Sequence, residues 1–290
     1  MLINSFCLSL SLHQLLRIIS APMNTTQTLL NYNLSEHVTA FSTTRISPFP
    51  LQGEDLEKMG SYAAFNVTDY CGDQPERVER NKEWLCKELH ISEQQLWLPR
   101  QTHTDHVMSI DSPFLSLSQE QQKQQLQDVD ALITNLPQQC IGVSTADCVP
   151  ILIYDEEHKA IAAIHAGWRG SVKRIAEKAL REMQLKYGTD ASKCKAVIGP
   201  SISIESFEVG EEVAQEFIQA HFPQSIIDHT QSKPHIDLWA ANVLQLEALG
   251  MELSNIQIAG ICTYQHADSF FSARRLGIKS GRIFTGIMIN

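Results

Sequence analysis

The sequence predicts one α/β or α+β domain with mixed sheets, and three observations lead there. Apolar runs of strand length recur through the second half of the chain. Amphipathic stretches of helical period stand between them. No composition break, fixed-period repeat or long linker divides the 290 residues, a length that one large domain can fold around a sizeable core.

Each element has its own signal. Residues 6–16 are apolar, but no basic residue precedes them, His13 and Gln14 interrupt them, and Arg17 follows them. They do not read as a secretory signal, and they are too short to span a bilayer. With Met23 and a polar segment next, residues 1–22 are expected to be a non-native or disordered extension, and 23–290 the domain. Asp73 is expected to cap a helix with Pro75 in its first turn and Val78, Leu85 and Leu89 on one side. The Gln-rich stretch 119–127 reads as a solvated loop or short surface helix. Strands are expected at 131–134, 141–145, 149–154, 160–165, 196–198, 256–262 and 283–289. Several of these runs are apolar throughout, the pattern of strands covered on both faces. A helix is expected over 171–187, from Val172, Ile175, Ala176, Ala179 and Met183. Another opens at Asp237 and closes at Gly250.

Composition narrows the function classes. A hydrophobic fraction of 43% and a charged fraction of 19% are those of an ordinary globular protein. A formal net charge of -10 without a Lys/Arg run excludes a general nucleic-acid binder, which needs cations to displace counterions. The seven cysteines are odd in number, scattered, and include no CxxC pair. That pattern suits reduced thiols in a cytoplasmic protein with no membrane span, and it excludes a zinc ribbon. Any metal must be gathered from distant segments.

Three segments carry chemistry. IHAGWRGS, 164–171, places His165 at a strand end before a helix, with Gly167 and Gly170 allowing a tight turn and Arg169 beside it. STADCVP, 144–150, sets Asp147 and Cys148 between buried strands, where polar groups need partners. LPRQTHTDHV, 98–107, crowds Arg100, Gln101, His103, Asp105 and His106. On a strand or loop, positions three apart face opposite sides, so one of His103 and His106 is expected as a ligand, and the assignment falls on His103. Each segment also has a plain structural reading: a satisfied histidine, an inert thiol, a polar loop. Together, one thiolate and two imidazoles form a set that leaves a fourth position open, as catalytic sites do. Such ligands suit zinc, with copper able to load in vitro.

From Phe41 to the C-terminus these motifs resemble the laccase-domain, or polyphenol-oxidase-like, purine nucleoside phosphorylase family. The likeness runs through Phe41-Ser42-Thr43-Thr44-Arg45, Asn66 with Cys71-Gly72-Asp73, Arg100-Gln101-Thr102-His103, Thr145-Ala146-Asp147-Cys148 and His165 to Gly170. It continues through Ile198-Gly199-Pro200, Cys262-Thr263-Tyr264 and Arg274-Arg275 with Gly281-Arg282. The resemblance implies a single-domain α/β sandwich with mixed sheets, likened also to cysteine hydrolases. It implies zinc on His103, Cys148 and His165, the same three residues serving in catalysis. It implies phosphorolysis of adenosine, inosine, guanosine and methylthioadenosine, and deamination of adenosine. In this reading Arg45, Asn66, Arg100, Asp147 and Arg169 are the substrate and phosphate contacts, and Asp147 is a candidate proton shuttle. Two alternatives accompany it: an amide hydrolase acting on cell-wall precursors, with Cys148 as nucleophile, and a copper-dependent polyphenol oxidase. The chain departs from the family pattern at Thr104, Ser201 and Ala273 and in a longer 276–280 segment. These departures bear on substrate preference more than on metal binding.

Overall fold

The computed structural model describes residues 17–18, 27–49, 53, 57 and 60–290. Its strands are β1 Arg17–Ile18, β2 Leu29–Tyr32, β3 Val38–Thr43, β4 Leu96–Trp97, β5 Val107–Ser109, β6 Ala131–Thr134 and β7 Cys140–Thr145. They continue with β8 Val149–Asp155, β9 Ala160–Ala166, β10 Lys195–Ile198, β11 Ile227–Asp228, β12 His235–Ile236, β13 Ile256–Ile258 and β14 Ile283–Ile289. The helices are α1 Pro75–Glu88, α2 Ser112–Leu115, α3 Gln119–Gln125, α4 Trp168–Val172, α5 Ile175–Tyr187, α6 Glu211–Gln219, α7 Leu238–Glu247 and α8 Ala273–Leu276. One sheet has seven strands in the order β1-β13-β10-β8-β9-β6-β5, and a second has five in the order β2-β3-β14-β7-β4. Both are mixed: β10, β8, β9 and β6 alternate in direction, whereas β5 lies parallel to β6, β13 parallel to β10 and β4 parallel to β7.

The apolar runs are continuous because β6, β7, β8, β9 and β14 bury both faces. Leu132, Leu152, Tyr154, Ile161, Ala163 and Val197 of the larger sheet meet Ile141, Val143, Ile287 and Ile289 of the smaller one. The alternate residues Ile133, Ile151, Ile153, Ala162, Ile164 and Ile198 pack under α5 and α7. On the far side of the smaller sheet, Phe41, Phe284 and Met288 pack with Phe65, Val67, Leu85 of α1 and its C-cap Leu89. Burying an aliphatic side chain of this size contributes roughly 1.5–3 kcal/mol. The two sheets sit face to face with helices outside them, an α/β sandwich sharing one set of cores, as the sequence predicts.

Four boundaries differ from expectation. The helix expected over 171–187 is two helices, because Arg174 takes φ +61° and ψ +46° between α4 and α5. Its guanidinium donates to the Ala220 carbonyl at 2.9 Å and lies over the Phe222 ring, contacts that hold the break. Asp73 does not cap α1; it precedes the N-cap Gln74, and its carboxylate accepts from Gln74 N and Asn66 Nδ2. The strand expected over 256–262 stops at Ile258, since Gly260 turns the chain with φ +67°. The helix opened by Asp237, whose carboxylate accepts from Ala240 N at 2.9 Å, ends at Glu247 rather than at Gly250. Residues 119–125 form a surface helix, α3, closed at its start by a Ser118–Gln121 capping box. Apart from β1, which pairs with β13 at the sheet edge, the extension 1–22 lies outside the described residues. No helix among the described residues is long and apolar enough to cross a membrane.

Candidate metal centre and its cavity

Topology brings the three candidate ligands together from distant parts of the chain. β7 belongs to the smaller sheet and β8 to the larger, so the short turn between them crosses from one layer to the other and carries Cys148. β9 is the antiparallel neighbour of β8, with His165 opposite Pro150 and Ala166 opposite Val149, so His165 arrives beside that turn. His103 comes from the loop between β4 and β5 in the left-handed conformation, φ +63°. The ligand atoms of His103, Cys148 and His165 all lie within 4.8 Å of one another. Cys148 Sγ is 3.8 Å from His103 Nε2, and the two imidazoles meet edge to face at 4.9 Å between centroids. His106 stands outside the set, its Nδ1 turned to the Asp128 carbonyl.

Gly167 is required here by space. A Cβ built on it lies 3.0 Å from His103 Cδ2 and 3.1 Å from Cys148 Sγ, tighter than a relaxed contact. A side chain at this position would press on the ligand set itself. Gly167 is also the N-cap of α4, which explains the strand–Gly–helix arrangement after His165.

Asp130 is the functional residue that sequence reasoning missed. It precedes β6, the other neighbour of β9, and is fully buried. Its Oδ1 accepts from His165 Nδ1 at 2.6 Å, fixing the tautomer that leaves Nε2 as the ligand atom. The same carboxylate accepts from the backbone N–H groups of Thr102, His103 and Thr104 at 3.3, 3.1 and 2.8 Å, and from the Thr104 hydroxyl at 2.7 Å. One carboxylate therefore orients one imidazole and holds the loop that carries the other. Burial works to raise its pKa, but the hydrogen bond and charge of His165 and the Thr104 donors outweigh it and hold the group well below the usual carboxylate range. An Asp before an apolar run reads in the sequence as a turn residue, which is why it carried no signal.

The electrostatics of the three ligands follow from this packing. Burial pushes the Cys148 thiol up, but the charge of His165 and hydrogen bonds from both imidazoles bring it down to about 6. Burial pushes His165 down, but the Cys148 thiolate and Asp130 raise it to about 9. In the metal-free protein the pair is thiolate and imidazolium at neutral pH. A soft thiolate with two imidazoles, one steered by a buried carboxylate, fits zinc and leaves a coordination position for a reactant.

The set opens into a cavity of about 430 Å³ that Tyr70, Gln101, Ser144, Ile278, Lys279 and Arg282 help to line. The remaining predicted contacts are not among its lining residues. Arg45 donates through Nη1 to the Ala267 carbonyl and lies over the Phe271 ring. Asn66 is fully buried and directs its amide to Thr68, Cys71 and Asp73 while accepting from Arg282 N. Asp147 accepts from the Thr263 hydroxyl and from Arg274 N, both at 2.7 Å, so it ties the turn that carries Cys148 to α8. Arg169 is exposed and stacked on Trp168, and Arg100 is exposed with its backbone bridged to Gln127. Gln101 does reach the cavity, but its amide is engaged twice with the Ser144 backbone, at 2.7 and 2.8 Å. Motif membership located this region of the fold; it did not separate residues that frame the cavity from residues that face it.

Comparison with known proteins gives the family. The family model described as multi-copper polyphenol oxidoreductase laccase matches residues 56–290. A purine nucleoside phosphorylase of Bacteroides thetaiotaomicron is 50% identical over 234 residues, 80% of this chain and 87% of that one. A protein named adenosine deaminase RL5, from an unknown prokaryotic organism, is 43% identical over 255 residues, 87% of this chain and 94% of its own. Among solved structures, the Bacillus licheniformis hypothetical protein YfiH has the same fold, with a TM-score of 0.80 at 23% identity over 91% of this chain and 97% of that one. The resemblance read from the motifs is borne out: the chain belongs to the multi-copper polyphenol oxidoreductase laccase family.

Proposed function

We propose that this protein is a zinc-dependent purine nucleoside phosphorylase that also deaminates adenosine. The observation that carries the reading is the His103–Cys148–His165 set opening onto a nucleoside-sized cavity, in a chain half identical to a protein named purine nucleoside phosphorylase. The reaction joins a phosphate oxygen to ribosyl C1′ as the C1′–N9 bond breaks. The bonding electrons leave with the purine, which takes a proton, and the products are free base and ribose 1-phosphate, or 5-methylthioribose 1-phosphate from methylthioadenosine. Adenosine, inosine, guanosine and methylthioadenosine are the substrates this reading covers. Bound zinc supplies Lewis-acid polarisation of an oxygen of phosphate or water. The chain's own residues hold that centre: His103, Cys148 and His165 directly, and Asp130 by fixing the His165 ring and the His103 loop. Tyr70 and Ile278 offer faces for the base, and Lys279 and Arg282 bring positive charge to the cavity.

A second reading rests on the same atoms. Cys148, His165 and Asp130 form a thiolate–imidazolium–carboxylate line, the arrangement of a cysteine nucleophile with an oriented base. This is the geometry an amide hydrolase would use. A copper-dependent phenol oxidase has less behind it, since the site gathers three ligands where a multicopper cluster needs many more histidines.

Two measurements test the proposal. Protein purified without added metal should carry about one zinc per chain, and Cys148→Ala should lose it while keeping the fold. Stoichiometric zinc in that variant overturns the ligand assignment. Adenosine incubated with and without phosphate is then resolved by chromatography, adenine and inosine being read separately. Adenine should require phosphate. Adenine formed equally fast without it makes the protein a hydrolase, and activity that survives chelation favours the cysteine nucleophile.

A further inference from the structure

We propose that the loop 277–281 is the substrate-selecting ledge of the cavity, with Ile278 covering the purine and Lys279 binding the phosphate. The proposal rests on the nucleoside-plus-phosphate reading above and assigns its two substrates to two neighbouring side chains.

The loop is built to stay in place. The Arg282 guanidinium donates to the carbonyls of Ser280 at 2.7 Å, Gly281 at 2.9 Å and Ile278 at 3.1 Å, gripping the loop from inside. The Ser280 hydroxyl donates to the Gly277 carbonyl at 2.8 Å, and Gly277 has φ +88°, a conformation side chains rarely adopt. Arg282 N is anchored to the buried Asn66, and Gly281 N to the Ser61 carbonyl. Asn66 and Arg282 thus act together to hold the ledge, with their donors engaged inside the protein rather than offered to a reactant.

What the ledge holds out is unusual for this molecule. Ile278 is 77% exposed, one of two large hydrophobic side chains so exposed among the described residues, and it lines the cavity of the metal-ligand set. A fixed apolar side chain at the rim of a polar cavity gains by being covered with a flat apolar face, which a purine has. Lys279 lines the same cavity and has no ion-pair or hydrogen-bond partner among the described residues. Lys82, Lys173, Lys178, Lys186, Lys193, Lys195 and Lys233 are all ion-paired, and Lys87, Lys123 and Lys159, which have no ion pair among the described residues, do not line this cavity. In a chain of net charge -10, an unpaired ammonium beside a metal-ligand cluster marks where a small anion docks. Lys279, with the engaged Arg282 guanidinium behind it and one apolar face beside it, suits inorganic phosphate with a nucleoside and falls short of the cationic track that a polyanion needs.

The test uses the zinc-loaded full chain with Lys279→Gln, Lys279→Arg and Ile278→Ser. KM is measured separately for phosphate and adenosine, with zinc content and inorganic-phosphate binding by calorimetry as readouts independent of turnover. Lys279→Gln should raise KM for phosphate about tenfold and weaken phosphate binding in parallel, with zinc content unchanged and KM for adenosine little moved. Lys279→Arg should restore most of the loss. Ile278→Ser should raise KM for adenosine severalfold and leave phosphate binding alone. Unchanged phosphate binding in Lys279→Gln, with a phosphate-dependent wild type, overturns the lysine assignment and leaves the function intact. A wild type that needs no phosphate overturns the function and the lysine assignment together. The adenosine KM of Ile278→Ser then decides the purine assignment alone.

Discussion

At the scale of single residues, the metal-free centre is governed by a coupled pair. Cys148, lowered from the usual 9.0 to about 6, is a depressed acid: it stabilises the fold above its unfolded pKa, and that contribution is lost as pH falls through about 6. His165, raised from 6.5 to about 9, acts in the opposite sense: its contribution is complete below 6.5 and is lost as pH rises through about 9. The thiolate–imidazolium pair therefore spans the window from about 6 to 9. In zinc-stripped protein, alkylation of Cys148 by iodoacetamide, followed on its own peptide by mass spectrometry, should rise with a midpoint near pH 6. Burial pushes Cys86 and Cys140 up instead, so their peptides should stay unlabelled at neutral pH. His165→Ala removes the main stabilising charge and should move the Cys148 midpoint well upward. A wild-type midpoint near the ordinary thiol value would show that the imidazolium does not face the sulfur. Zinc should protect Cys148 from the reagent altogether.

At the scale of elements, the centre depends on how β6, β9 and the loop before β5 are tied. Asp130 sits at the start of β6, and its backbone carbonyl accepts from His165 N at 2.8 Å while its side chain takes four donors from residues 102–104. The left-handed backbone at His103 is stable because those donors are satisfied together by one buried carboxylate. Asp130→Asn keeps the size of the side chain but loses the charge and the full set of acceptors. Zinc affinity, measured by competition with a chromophoric chelator, should fall about 10–100-fold with the far-UV circular dichroism unchanged. An unaltered affinity would mean that the strand pairing alone places both imidazoles. Of these elements the sequence showed β6 and β9 clearly, by their apolar runs. It showed nothing of Asp130, because a polar residue at the head of a strand is common and its partners lie 26–35 residues away in the chain. The split at Arg174 was hidden for a related reason: no Gly or Pro marks it, and the contacts that hold it come from Ala220 and Phe222.

At the scale of the whole molecule, the sequence by itself determined the layers and the three side chains that could hold a metal. Apolar runs of strand length with no polar alternation read as strands covered on both faces, and two facing sheets under α1, α5 and α7 satisfy that demand. His103, Cys148 and His165 were legible because metal chemistry restricts ligands to a few residue types, and these stand where buried strands end. What only the tertiary structure decided is which polar residues near those three side chains line the cavity. Arg45, Asn66 and Asp147 share motifs with the site, yet they are occupied by Ala267, Cys71, Thr263 and Arg274. Ile278 and Lys279 belong to the longer 276–280 segment, and they line the cavity. Motif order cannot tell framework from wall, because both need polar side chains at fixed places. The difference is whether a hydrogen-bonding group has already found its partner inside the protein, and that depends on segments that meet only when the two sheets close.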